Sequence, residues 1–131
     1  MAYSTEGEIV SMKAESAFTE KYVVVELGTA AQEVDLPDSV ADQPFGVILD
    51  TASAGQAVPV QKTGVTKCVA NGAITKGNRV HIAATTGRID DSSTGTAGTI
   101  YVGQALEAAT AAGDIISVDL TILGTEDGGA S

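Results

Sequence analysis

Tryptophan is absent from this 131-residue chain and cysteine occurs once, at Cys68. A lone cysteine excludes an internal disulfide framework and a zinc site built on several thiolates. Aromatic residues are scarce: Tyr3, Phe18, Tyr22, Phe45 and Tyr101. The core must therefore be made of Val, Ile, Leu and Ala, which bury less area per residue than rings do. A core that thin is easier to understand where more apolar surface is buried between subunits. No apolar run approaches the roughly 18 residues a membrane span requires. The start, Met1-Ala2-Tyr3-Ser4-Thr5-Glu6, has neither the basic opening nor the apolar stretch of a signal peptide. The expectation is a protein made in a cytoplasm-like compartment and kept there, or in a particle assembled there. Cations are few as well: seven Lys and Arg face seventeen Asp and Glu, a formal charge of −10. Lys13, Lys21, Lys62, Lys67, Lys76, Arg79 and Arg88 stand singly. Nucleic acid and anionic membranes, which are gripped by clustered basic residues, are poor partners. The acidity reads as solubility and mutual repulsion.

What the chain does have is glycine, fifteen of them, punctuating short stretches rich in Val, Ile and Thr. That is the pattern of many short strands joined by tight turns. Its length fits one domain, and 44% hydrophobic residues suffice for a core. Candidate strands are Glu8–Lys13, Lys21–Leu27 with its three consecutive valines, Phe45–Asp50, Ala57–Lys62, Val65–Ala70, Arg79–Ile82, Thr99–Leu106 and Ile115–Leu123. In the last, Ile116, Val118, Leu120 and Ile122 alternate with Ser117, Asp119 and Thr121, the period of a half-buried strand. Asn71-Gly72 signals a hairpin after Val65–Ala70, and Thr86-Gly87-Arg88 turns the chain. Val34–Pro44, with Pro37, Pro44 and three aspartates, reads as a loop with one helical turn started by Asp38. Asp90–Gly98, all small or polar, reads as an exposed loop. One segment argues the other way: Ala105–Ala112 has high helix propensity, and Gly113 suits the position after a helix.

Two segments can be laid over each other, 45–60 and 101–118. Each runs from an aromatic and a glycine through apolar residues, one acid and a run of small residues to a second glycine and an alternating strand. The physical sense is a hairpin used twice. Its first glycine allows close backbone packing, and its second permits φ > 0 where the turn re-enters a strand. Two copies are too few for a solenoid, so the reading is one domain with related halves. The expected fold is all-β: a compact single-domain barrel or sandwich of short antiparallel strands with at most one or two helical turns. Residues 1–12 form an N-terminal arm, 13–123 the β-domain, and 124–131 a flexible acidic tail.

Taken in order, the Gly46-Val47-Ile48-Leu49-Asp50 hairpin, Gly77-Asn78-Arg79-Val80-His81, Thr86-Gly87-Arg88-Ile89, Val102-Gly103-Gln104-Ala105-Leu106-Glu107-Ala108 and Ala112-Gly113-Asp114 with its closing strand resemble the small cement (decoration) proteins of tailed-phage capsids. The resemblance covers roughly Phe45 to Leu123; the acidic stretch Asp35–Asp42 has no counterpart in the family pattern. It implies a structural virion protein, made in the host cytoplasm and bound to the outer surface of the capsid. It further implies a homotrimer on threefold positions, gripping the major capsid protein and stiffening the shell against internal DNA pressure. Burial of apolar surface at subunit junctions and strand addition by the N-terminal arm would supply the grip. The arm residues expected at the capsid are Tyr3, Glu6, Ile9, Val10 and Met12.

Catalytic chemistry finds no foothold. Gly72-Ala73-Ile74-Thr75-Lys76-Gly77-Asn78-Arg79 copies the glycine spacing of a P-loop, but Asn78 stands where the phosphate-binding Lys belongs. Asp90-Asp91-Ser92-Ser93-Thr94-Gly95 lacks the alternating acids of a calcium loop, and Tyr101 occupies the closing acidic position. His81 is the only histidine, expected at a surface or interface, and Cys68 reads as a small semi-buried side chain. No spacing places two carboxylates in a common cleft. The expectation is no enzyme, no cofactor and no metal. A trimeric β-enzyme such as a nucleotide hydrolase would need a phosphate- or metal-binding motif. A carbohydrate-binding adhesive domain would need aromatics to stack on sugars. The alternative is a non-catalytic β-domain with another scaffolding or a carbohydrate-binding adhesive role.

Overall fold

The computed structural model describes residues 7–39, 42–94 and 100–121. These residues form ten strands: β1 (Ile9–Ala14), β2 (Val24–Leu27), β3 (Glu33–Asp35), β4 (Gly46–Ile48), β5 (Ala57–Gln61), β6 (Gly64–Val69), β7 (Arg79–Ile82), β8 (Ile89–Asp91), β9 (Tyr101–Ala105) and β10 (Ile115–Leu120). The one helical piece among the described residues is a 3-10 turn, Ser92–Thr94. The first five strands close a barrel in the order β1-β3-β2-β4-β5, and the last five form a sheet in the order β6-β10-β9-β7-β8. The chain is thus all-β, and the strands pair antiparallel except where β1 meets β3.

The two halves are copies of one plan. Antiparallel β1–β5 recurs as β6–β10, with Met12 opposite Val58 and Cys68 opposite Ile116. Antiparallel β2–β4 recurs as β7–β9, with Val25 opposite Gly46 and Val80 opposite Gly103. The β2–β3 and β4–β5 pairs recur as β7–β8 and β9–β10. Even the parallel contact Ala14–Val34 has its counterpart in the bridge Ala70–Ile89, which brings the edges of the second sheet together. The Phe18–Ala52 bridge likewise matches Ile74–Ala109. Backbone conformation repeats too. Positive φ occurs at Tyr22 and Gly77, at Gln32 and Gly87, and at Gly55 and Gly113, each pair in equivalent places. The doubled hairpin read from residues 45–60 and 101–118 is the most visible part of this larger duplication, comprising β4–β5 and β9–β10.

Its two glycines do what the hairpin needs. A side chain on Gly46 would press into Val60 Cγ1 and the Gln61 carbonyl, and one on Gly103 into the Asp119 carbonyl. Gly55 and Gly113, at φ +83° and +94°, sit in open space and are required for their conformation alone. Their N–H groups donate to the carbonyls of Ala14 and Ala70, at 2.7 and 2.8 Å.

Each half has its own core, and a seam joins them. Val23, Val25, Val34, Ile48, Val58 and Val60 fill the first lobe, whereas Val80, Ile82, Ile89, Val102, Ile116 and Val118 fill the second. The triple valine explains itself here. Val23 and Val25 face the first core while Val24, with Val47, packs into the second. A segment buried on both faces reads as a continuous apolar run instead of an alternation. Val69 returns the exchange by packing into the first core. Backbone hydrogen bonds cross the seam from Val24 to Gly87 (2.7 Å), from Val69 to Tyr22 (3.0 Å) and from Thr85 to Pro37 (2.8 Å).

Several local expectations are corrected. Glu33–Asp35, inside the stretch read as a loop, is a strand, because Val34 is buried and its backbone finds β1 on one side and β2 on the other. At the turn expected from Asp38, by contrast, the Asp42 N–H donates to the Ser39 carbonyl at 3.1 Å, and the Asp42 carboxylate accepts from the amides of Asp38 and Ser39. Asn71-Gly72 does not make a hairpin. β6 pairs with β10, and the Asn71 amide crosses to the Ile89 carbonyl. Asp90 and Asp91 belong to β8, and the 3-10 turn follows, so that stretch is not wholly an exposed loop. Ala105–Ala112 forms no helix: Ala105 ends β9 and Ala109 bridges Ile74, tertiary pairing having overridden propensity. His81 is buried at 3% exposure, as is Cys68 at 0%. The acidic tail, 124–131, lies outside the described residues.

Candidate interaction surfaces

The expected arm residues divide between two situations. Tyr3 and Glu6 lie outside the described residues. Ile9, Val10 and Met12 belong to β1, paired with Gln61, Val60 and Val58 of β5. Ile9 points outward at 54% exposure, and Val10 and Met12 pack against the first core. The chain enters β1 beside the link between the lobes: Glu8 N–H donates to Thr63 Oγ1 at 2.8 Å, and Lys62 N–H to the Glu8 carbonyl at 2.8 Å. The far end of β10 lies there too, with Leu120 opposite Gly64.

A second surface is the mouth of the seam. A cleft of about 380 Å³ is lined by Phe18, Val23 and Leu36 from the first lobe and by Thr85, Thr86 and Arg88 from the second, among others. Arg88 donates from both Nε and a terminal nitrogen to the Glu20 carboxylate, at 2.9 and 2.8 Å. This two-pronged pair clamps one lobe to the other and fixes the cleft's rim.

The third surface was not legible in the sequence. Glu26 of β2 meets Asp38 and Asp42 of the β3–β4 connection, one carboxylate oxygen from each lying within 4.8 Å of the others. Burial pushes the Glu26 carboxyl up to about 7, and the hydrogen bond to Asp42 and the charges of Asp42, Asp38 and Asp35 push the same way. Asp42 moves down, first through its hydrogen bond with Glu26 and further through the Asp38 and Ser39 amides, against its own burial. The two carboxyls thus share one proton near neutrality. Oxygens grouped like this can share protons or meet a cation. Only the β2–β3 pairing, which sets Glu26 opposite Asp35, brings the group together. Nothing in linear spacing announces it.

The remaining candidates are structural. Asp91 is 5% exposed. Burial raises its pKa, but the amides of Ser93 and Thr75 and the Asn78 side chain outweigh that and bring it down to about 2. It anchors the loop that imitated a P-loop. Burial pushes the Cys68 thiol up to about 12, which leaves no thiolate for chemistry. The four described aromatics offer no open platform for sugars. Phe18 and Tyr101 are buried, and cations lie over Tyr22 (Lys67, 5.7 Å), Phe45 (Lys62, 4.8 Å) and Tyr101 (Arg79, 5.1 Å).

Among solved structures, the chain is similar to the head fibre gp8.5 N base of bacteriophage phi29. The TM-score is 0.63 and the identity 16%, over 89% of this chain and 96% of that one. At that identity the likeness concerns the fold. No curated protein sequence matches. The family model for phage cement protein matches residues 4–120, nearly the whole chain, and the protein belongs to that family.

Proposed function

We propose that this phage virion structural protein decorates the outer surface of a tailed-phage capsid, binding the major capsid protein and stiffening the shell as a homotrimer. The observation that carries the reading is the family match, which spans both lobes from residue 4 to residue 120. The architecture suits the task. A first lobe closed into a barrel, and a second whose edges meet at the Ala70–Ile89 bridge, leave few free sheet edges among the described residues. Ile9, Leu27 and Ile115, exposed at 54%, 60% and 45%, are available for burial against neighbours. The N-terminal residues before β1 extend from the link between the lobes and are proposed to add to a capsid sheet.

An enzymatic role draws no support from the thiol of Cys68 or from the buried His81, whose Nδ1 lies 3.0 Å from the Ile82 carbonyl. The test is decoration itself. Purified protein is mixed with undecorated shells and sedimented, and the shells are then challenged by heating. Co-sedimentation at a fixed stoichiometry with a raised temperature of DNA release is expected; a protein left in the supernatant would refute the proposal. Deletion of residues 1–6, which leaves β1 intact, should weaken binding at least tenfold if the arm takes part. Deletion through residue 12 would remove most of β1 and test barrel integrity instead.

A further inference from the structure

Beside the end of β2 lies an apolar slot of about 240 Å³, walled by Leu27, Pro44 and Phe45 and rimmed by Glu26, Asp42 and Gln43. Leu27 is 60% exposed, an unusual state for a leucine whose strand neighbours Val24 and Val25 are fully buried. Phe45 already carries Lys62 over its ring at 4.8 Å, so that ring accepts a cation. The shape pairs an apolar floor with an anionic rim. A long basic side chain has the matching design, a methylene stem that prefers apolar contact and a charged head that prefers carboxylates.

We propose that this slot receives a lysine or arginine side chain of the major capsid protein, its stem lying on Leu27, Pro44 and Phe45 and its head meeting the carboxylates of Glu26, Asp42 and Asp38. This rests on the reading of the protein as a capsid decoration. Charge identifies the source of the side chain. Residues 7–61 contain nine acids against two bases, and residues 62–121 contain five of each. The first lobe thus carries a surplus of seven acids, and its electrostatic complement is a basic surface. On the decoration reading the surface that meets this lobe is the capsid, which supplies the basic group. A cation entering the slot would favour loss of the proton shared by Glu26 and Asp42.

The full-length double variant Glu26→Gln/Asp42→Asn and the variant Leu27→Ser are compared with wild type for binding to undecorated shells. Asp50→Asn, which changes an exposed acid elsewhere, is the control. The slot variants should bind at least tenfold more weakly, and the control within twofold. Raising the salt should weaken wild type more than the double variant. Wild-type decoration matched by both slot variants would overturn the slot and leave the decoration reading standing. Failure of wild type to bind would overturn the decoration reading and the named partner together.

A second measurement reads the slot without the shell. Amide shifts of the 15N-labelled protein are followed during titration with the peptide acetyl-Gly-Arg-Gly-amide. Shifts centred on Leu27 and Phe45, absent from the double variant, are expected. Shifts elsewhere would overturn the proposal. So would a response of these amides to calcium but not to peptide, or an oligomer that Leu27→Ser dissociates, which would mark the slot as a contact between copies.

Discussion

The two lobes hold the same backbone with different chemistry on it. Where β2 faces β3, Glu26 stands opposite Asp35; where β7 faces β8, His81 stands opposite Asp90. The first pairing sets two acids side by side; the second does not. The connection after β3 is acidic, with Asp38 and Asp42, while its counterpart after β8 begins Ser92-Ser93-Thr94. The glycines at the two hairpins are the same in both lobes, and the inward positions stay apolar while changing identity, Val34 answering to Ile89, Val58 to Ile116 and Ile48 to Ala105. The hydrogen-bonding frame tolerates few residues at a handful of points, whereas the cross-strand polar pairs are free to specialise. The first lobe has become the acidic one.

If the frame is equivalent in both lobes, the largest effects should come in matched pairs. Gly46→Val and Gly103→Val each drive a side chain into the neighbouring strand, and each should cost about 3 kcal/mol or more. Urea unfolding would show it. A tolerated substitution in one lobe alone would break the equivalence.

The next effect should separate the lobes by pH. Asp91 has a depressed pKa, so its contribution is present above the usual 3.8 and is lost as pH falls towards about 2. Asp91→Asn should cost about 1–3 kcal/mol at pH 7 by weakening the acceptors for Thr75, Asn78 and Ser93. Glu26 has a raised pKa, so its contribution is complete below 4.5 and is lost as pH rises through about 7. Glu26→Gln should therefore flatten the decline in stability between pH 5 and pH 8. Thermal melts across that range would detect it, and an unchanged slope would show that Glu26 and Asp42 do not share a proton.

Smaller effects sharpen the same comparison. Gly55→Ala and Gly113→Ala, both at positive φ in open space, should each cost about 1–2 kcal/mol, and by similar amounts. Gln32 adopts φ +63° where the second lobe has Gly87 at +73°. Gln32→Gly should be neutral or stabilise by about 0.5 kcal/mol, relief of the backbone strain offsetting the added freedom of the unfolded chain. Chemical denaturation resolves all three, and a Gln32→Gly variant destabilised by more than 1 kcal/mol would show that the side chain does more than tolerate its conformation.

Much of the fold was legible because its signals are local. Short β-rich runs, glycine punctuation and the Ile115–Leu120 alternation report a strand whatever surrounds it. The hairpin glycines were legible because only glycine permits the close approach at Gly46 and Gly103. The misread places depend on distant partners. β3 is a strand because β1 and β2 flank it, and Ala105–Ala112 forms no helix because Ala105 belongs to β9 and Ala109 pairs with Ile74. The slot was invisible for the same reason. Leu27, Asp42 and Phe45 are brought together by β2–β4 pairing, and in the sequence they are simply an exposed leucine, one acid of many and a scarce aromatic.

The triple valine at 23–25 carries an evolutionary consequence. Once Val24 and Val47 settled into one core and Val69 into the other, neither repeat could be shed without stripping apolar side chains bare to water. Each substitution at the seam must henceforth satisfy two hydrophobic interiors at once, while residues on the outer faces answer to neither. Ancestral redundancy has in this way become mutual dependence. The tandem arrangement is locked in place, and freedom to vary is left to the exterior of each repeat.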